Sequence, residues 1–200
     1  MRKNSIIVIV LLTWICFPLS MRSETAREKI ELGVTIPAET GLDDAGLRSA
    51  AEIWLEMIDG AKTTIDLAEF YLVGRPGSKL EQVNQALERA AARGVKIRIL
   101  AEKKMQTTYP ELLKRFAEKT NITVRLFDWK ELTGGILHAK YFLVDGRQCW
   151  VGSQNFDWRA LEQIHETGIR IEDRNVTTAL TALFEADWAF SGGGTMAYDT

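Results

Sequence analysis

Between residues 47 and 127 the hydrophobic period switches back and forth between that of a helix and that of a strand, and this rhythm restricts the chain to a layered α/β architecture. Leu47, Ala50, Ala51, Trp54, Met57 and Ile58 recur at helical spacing, with Gly60 where the helix would end. An apolar, aromatic-rich strand follows over 64–72. Leu80, Val83, Leu87, Ala90 and Ala91 mark a second amphipathic helix that stops at Gly94, and 95–100 is a nearly continuous apolar strand. A helix over 110–118 and a strand over 122–127 complete the alternation. Beyond Lys130 the spacing tightens to strands at 138–144, 148–153 and 166–171, then a last helix over 175–190. The expected fold is a mixed β-sheet flanked by helices.

With 46% apolar and 26% charged residues in 200, the chain has enough apolar material for one core without disulfide support. The expected domain is 44–190. Residues 24–43, polar and irregular with Pro37 and Gly41, read as a lead-in, and the Ser191-Gly-Gly-Gly-Thr stretch opens a flexible tail or linker over 191–200. Residues 1–23 differ in kind. Arg2 and Lys3 precede an apolar run from Ile6 to Leu19, and no acid occurs before Glu24, which is the pattern of an export signal. The run is shorter than the roughly 20 residues that span a bilayer and has Pro18 near its end, which favours a cleaved signal peptide over a signal anchor. An exported protein is therefore expected.

The formal charge is -2, and residues 1–23 hold three of the basic residues and none of the acidic ones. The remainder is mildly acidic, which argues against a high-affinity nonspecific nucleic-acid binder but leaves room for a local basic pocket. Cys16 falls in the leader and Cys149 in an apolar strand, so a processed chain has no internal disulfide, and Cys149 reads as a packing residue.

The chemistry concentrates in 138–155. Asp145-Gly146 is a dipeptide that favours a two-residue hairpin turn. Such a turn sets 144 opposite 147, 140 opposite 151 and 138 opposite 153, so that His138, Lys140, Ser153 and Asn155 project from one face. A three-residue loop would break that parity. An imidazole, an ammonium, a hydroxyl and a carboxamide on one patch suit a tetrahedral phosphate, and the imidazole adds a nucleophile or general acid.

The run His138-x-Lys140, Asp145, Gly152-Ser153-x-Asn155 resembles the signature of the phospholipase D superfamily at each fixed position. The wider segment from Leu132 to Arg159 is similar to bacterial and animal lysosomal members, and a weaker likeness runs from Ala51 to Phe190, including Ile65-Asp-Leu-Ala-Glu-Phe-Tyr71. The resemblance implies that His138 attacks phosphorus to form a phosphohistidine. It implies that Lys140 and Asn155 hold the nonbridging oxygens beside Ser153, and that no metal or other cofactor is needed. It also implies that Glu166 lies against the catalytic imidazole and fixes its tautomer. Asp145 belongs to the same catalytic signature, and its place in the turn gives it a structural role there.

His165 lacks such support and reads as outward-facing or at the edge of the core. With two histidines and one cysteine outside the leader, a structural zinc site is improbable. Trp54 and Trp188 lie on apolar helix faces, whereas Trp129 and Trp158 flank the signature and could line a groove.

The family chemistry uses two histidines, and this sequence carries one signature, so either a homodimer or a second signature-bearing half completes the site. The activity implied is a phospholipase D-type phosphodiester hydrolase acting on phospholipid. The alternatives are an exported endo- or 5'-exonuclease of the same superfamily and an inactive phosphate-binding half.

Overall fold

The computed structural model describes residues 30–128, 130 and 134–192. A reciprocal cap starts the first helix: the Ser49 hydroxyl accepts the Glu52 N–H, and the Glu52 carboxylate accepts the Ser49 N–H. That helix, α1 (Ala50–Gly60), buries Ile53, Trp54, Met57 and Ile58 on one face. Ser78 likewise caps α2 (Lys79–Ala92), and Asp173 caps α5 (Arg174–Ser191). Two shorter helices, α3 (Lys103–Gln106) and α4 (Glu111–Ala117), lie between.

The strands are β1 (Ile30–Thr35), β2 (Arg48–Ser49), β3 (Thr64–Glu69), β4 (Leu72–Val73), β5 (Lys96–Glu102), β6 (Ile122–Phe127), β7 (Lys140–Val144), β8 (Gln148–Gly152), β9 (Phe156–Asp157) and β10 (Glu166–Ile171). Eight of them form one sheet in the order β2-β1-β10-β8-β7-β3-β5-β6, and β4 pairs with β9 in a second. β3, β5 and β6 run parallel, as helical crossovers require; β3–β7, β7–β8, β8–β10 and β10–β1 are antiparallel pairs, and the short edge strand β2 runs parallel to β1. The expected mixed sheet with flanking helices is therefore present.

Each face of the sheet carries its own core. Trp54 stacks on Phe156 and meets Phe142 and Trp150 edge-on beneath α1 and α2. On the other face Leu100, Tyr141, Leu143, Cys149 and Phe184 pack with α5, where Trp188 stacks on Phe184. Cys149 is fully buried, and burial pushes its thiol up to about 11.

The domain starts earlier than the sequence reading sets it. Residues 24–43 read as a lead-in, yet β1 lies within them and pairs with β10 along its whole length. Its alternation is muted by Gly33, and the two outward residues, Ile30 and Leu32, are apolar and exposed. Gly33 is required by packing: a Cβ there would stand 2.7 Å from both Ile53 and the Trp150 ring. Gly33, Gly168 and Gly152 are successive partners on β1, β10 and β8, and together they admit the flat Trp150 ring. The expected leader, 1–23, and Trp129 lie outside the described residues, as does the tail beyond Gly192.

Candidate active site

The hairpin that carries the signature forms with a different register from the one its turn suggests. Asp145 and Gly146 have φ of 55° and 62°, and the Arg147 N–H donates to the Val144 carbonyl at 3.0 Å, as in the expected two-residue turn. In the ladder, however, Val144 is opposite Gln148, which makes Arg147 a bulged extra residue. Every later pair shifts by one, so that Tyr141 rather than Lys140 faces Val151. Side-chain parity inverts with it. Lys140 comes level with Gly152, alternation puts Gln154 rather than Ser153 on its face, and the proposed face-sharing of Lys140 with Ser153 is corrected. The Ser153 hydroxyl is instead tied to β10, donating to the Thr167 carbonyl and accepting the Thr167 N–H, both at 3.2 Å.

His138 sits just ahead of β7 and is exposed. Leu137 before it is buried, and its N–H donates to the buried Glu102 carboxylate at 2.6 Å, which anchors the approach to β7. The Lys140 ammonium lies 3.2 Å from Nδ1 and 3.3 Å from Nε2 of His138 and donates to the His138 carbonyl at 3.0 Å. The Phe70 ring packs on the imidazole with centroids 4.7 Å apart. Burial draws the Lys140 ammonium below the ordinary lysine value, against the opposing pull of Glu69 and Glu166.

Glu166 opens β10 and is buried, with Oε2 unpartnered. Its charge acts on Lys140, and among the described residues no hydrogen bond joins it to His138. Asn155 is half-buried and its Oδ1 likewise has no protein partner. Asp145 is elsewhere. It stands at the far end of β7, where it accepts hydrogen bonds from the Lys62, Thr63 and Thr64 N–H groups and the Thr63 hydroxyl. Its structural role thus serves the chain entering β3 more than its own turn. Burial pushes its carboxyl up, but those four donors outweigh burial and hold it below the usual carboxylate range. His165 is exposed.

Three residues that the sequence reading does not select lie in or under the site. Glu69 ends β3 directly opposite Lys140, Phe70 follows it, and Gln154 is buried with both amide atoms unpartnered. A carboxylate at the end of the apolar run Ile65-Asp-Leu-Ala-Glu69 is the one local signal that could have drawn attention to Glu69.

From the imidazole a row of rings leads outward. Phe70 meets Tyr71 at 5.3 Å and Tyr71 meets Tyr109 at 5.4 Å. Tyr71 donates to Asp157, which is fully buried and clamped by Arg159 at 2.6 Å. Burial and the Asp157 carboxylate push the Tyr71 phenol up to about 12. Trp158 lies beside this network, with the Arg75 guanidinium 4.0 Å above its ring. Among the described residues, no group of three or more His, Cys, Asp or Glu side chains is gathered as metal ligands would be.

The family described as "Cardiolipin synthase, PLD-like domain" matches residues 54–188. Phospholipase D Y of Dictyostelium discoideum is 30% identical over 199 residues, which cover 92% of this chain and 45% of that protein. The 5'-3' exonuclease PLD3 of Bos taurus is 32% identical over 156 residues, covering 73% of this chain and 32% of that one. The chain thus spans less than half the length of these two curated relatives. Among solved structures, NucT from Helicobacter pylori superposes with a TM-score of 0.65 over 80% of this chain and 96% of that one, at 15% identity, a likeness of fold alone.

Proposed function

The chain belongs to the phospholipase D-like family, and on that premise we propose that it is a phosphodiester hydrolase in which His138 is the nucleophile. The single observation that carries this reading is the Lys140 ammonium within 3.3 Å of both nitrogens of an exposed imidazole. An arriving phosphodiester gives that ammonium a better partner in its nonbridging oxygens and frees a ring nitrogen to attack. The new N–P bond forms as the bond from phosphorus to the leaving oxygen breaks, and a general acid protonates that oxygen. Water, giving its proton to the conjugate base of that acid, then attacks phosphorus as the N–P bond breaks, which releases the phosphomonoester and restores the imidazole. Asn155 supplies a second contact to the phosphoryl oxygens. The general acid is the corresponding histidine of a second copy of this chain or of another signature-bearing half, because His165 is exposed and makes no contact with His138 or Lys140 among the described residues.

For substrate, the ring row favours the nuclease reading over the phospholipid one. Phe70, Tyr71 and Tyr109 extend from the imidazole as a row of half-buried rings in edge-on and tilted contact, and bases stack on aromatic side chains for about 1–3 kcal/mol each. The exonuclease name borne by one relative agrees with this, and the phospholipase name borne by another keeps the lipid as the rival. The basic and apolar start of the chain supports an exported enzyme.

The test is turnover of bis-nitrophenyl phosphate, a short single-stranded oligonucleotide and phosphatidylcholine by wild type and His138→Ala, with the mass in solution measured alongside. Loss of at least about a thousandfold in the variant is expected on the small diester and the oligonucleotide. Equal turnover by the variant would remove His138 from the mechanism. Cleavage of phosphatidylcholine alone would return the substrate to lipid, and an inert wild-type monomer that binds phosphate would mark a binding half.

A further inference from the structure

Beneath Lys140 lies a carboxyl group that the proposed mechanism does not use. Glu69 and Lys140 are direct partners across β3 and β7, so their side chains leave the same face of the sheet. The Glu69 side chain is 1% exposed; one oxygen accepts the Phe156 N–H, and Oε2 has no protein partner. On its other flank the β5 partner is Ala101, which carries no charge. The groups that face it are therefore the Lys140 ammonium from β7 and the Phe156 amide from β9, with Glu166 on β10 acting through Lys140. Phe70, the next residue, supports the His138 ring. Two successive residues at the end of β3 thus brace the two signature residues that meet the phosphate.

A phosphodiester is an anion, and Lys140 already sits in the field of Glu166. A second ionised carboxylate against the same ammonium would leave the site negative and repel the ligand. A neutral Glu69 leaves the ammonium and Glu166 balanced, with the ammonium free to turn to phosphate. We propose that Glu69 is a positioning residue for Lys140: its neutral carboxyl leaves the ammonium level with the phosphate site, and its carboxylate would draw that ammonium down into the sheet. Burial pushes the Glu69 carboxyl well above the usual range, more than Lys140 and the Phe156 N–H pull it down. Full burial without a bonded counter-ion favours the neutral acid.

This inference rests on the phosphate-binding reading of the site, so its test separates the two. Sulfate is the probe, because its charge stays constant over the range used, and it is titrated calorimetrically into the full chain as wild type, Glu69→Gln and Glu69→Ala. In wild type, Glu69 ionises as pH rises and affinity falls; glutamine cannot ionise. The ratio of the wild-type dissociation constant to that of Glu69→Gln is expected to rise at least about threefold as pH is raised from the acid to the alkaline end of the range in which both proteins stay folded. Glu69→Ala removes the brace and weakens sulfate at every pH, and glutamine restores binding at the acid end. A ratio that stays flat while wild type binds sulfate overturns the inference and leaves the phosphate site standing. Weak binding by folded Glu69→Gln across the whole range, equal to that of alanine, also overturns it, because the ionised carboxylate would then be the working form. No binding by wild type, together with no turnover of bis-nitrophenyl phosphate, removes the phosphate reading itself.

Discussion

Replacing Asp145 separates a structural signature residue from a catalytic one. Its carboxylate accepts hydrogen bonds from four donors of Lys62, Thr63 and Thr64, at 2.7–3.2 Å. Lys62 and Thr63 are exposed, so water replaces much of what their donors lose, whereas the Thr64 N–H is half-buried and depends on the carboxylate. With about 0.5 kcal/mol for each exposed donor and about 1.5 for the half-buried one, removal of the charge-assisted set costs about 3 kcal/mol. Asparagine keeps one acceptor oxygen and tolerates the positive φ of 55°, so Asp145→Asn is expected to cost about 2 kcal/mol. Alanine loses every bond and strains the left-handed backbone by a further 1 kcal/mol or so, for about 4 in total. For a domain of this size these costs lower Tm by about 6 and 12 °C.

The same bonds fix the pH dependence. Because the folded state holds the Asp145 carboxyl below its ordinary value, its contribution is complete above about pH 4 and is lost as pH falls through the folded value. Urea melts followed by tryptophan fluorescence at about pH 7 and pH 3 should show the gap between wild type and Asp145→Asn narrowing on acidification. Turnover by folded Asp145→Asn should fall only as its folded fraction falls. A stability cost below about 0.5 kcal/mol, a gap that ignores pH, or a turnover loss matching His138→Ala in fully folded protein would each refute the structural assignment.

Other consequences follow from packing and exposure. Gly168→Ala would set a Cβ 2.3 Å from the Trp150 ring and 2.8 Å from Gln154, so it should cost about 3 kcal/mol in a urea melt, and a cost below about 1 would mean that the ring has room to move. In a Cys16→Ser background the buried Cys149 thiol, pushed up to about 11, should react with a thiol reagent only after unfolding; rapid labelling of the native chain would contradict its burial. Tyr109→Ala should weaken oligonucleotide affinity by about tenfold, from the loss of one stacking ring, and affect the small diester far less. Equal losses on both substrates would place Tyr109 in the chemistry instead. Asp66→Asn should cost about 2 kcal/mol, because Asp66 is buried and bonded at 2.6 Å to Arg98, which also reaches Glu185 on α5.

Much of this protein is legible without coordinates. The alternating periods place α1, α2, α4 and α5 and the strands β3, β5, β6, β7, β8 and β10 close to where they lie, because each buries one face and its apolar spacing records which. The spacing of His138, Lys140, Ser153 and Asn155 carries the family's signature before any fold is known. Tertiary structure decided what depends on partners distant in sequence. β1 was invisible because a strand lying under a tryptophan ring needs a glycine where the pattern calls for an apolar residue. The hairpin register was undetermined because Asp-Gly specifies the turn but not the bulge at Arg147, and one extra residue exchanges Ser153 for Gln154 on the face of Lys140. Asp145 found its bonds 81 to 83 residues away, at the entrance to β3. Glu69 gained its meaning only when β3 was laid against β7, since a lone carboxylate in a strand carries no mark of the ammonium that will face it.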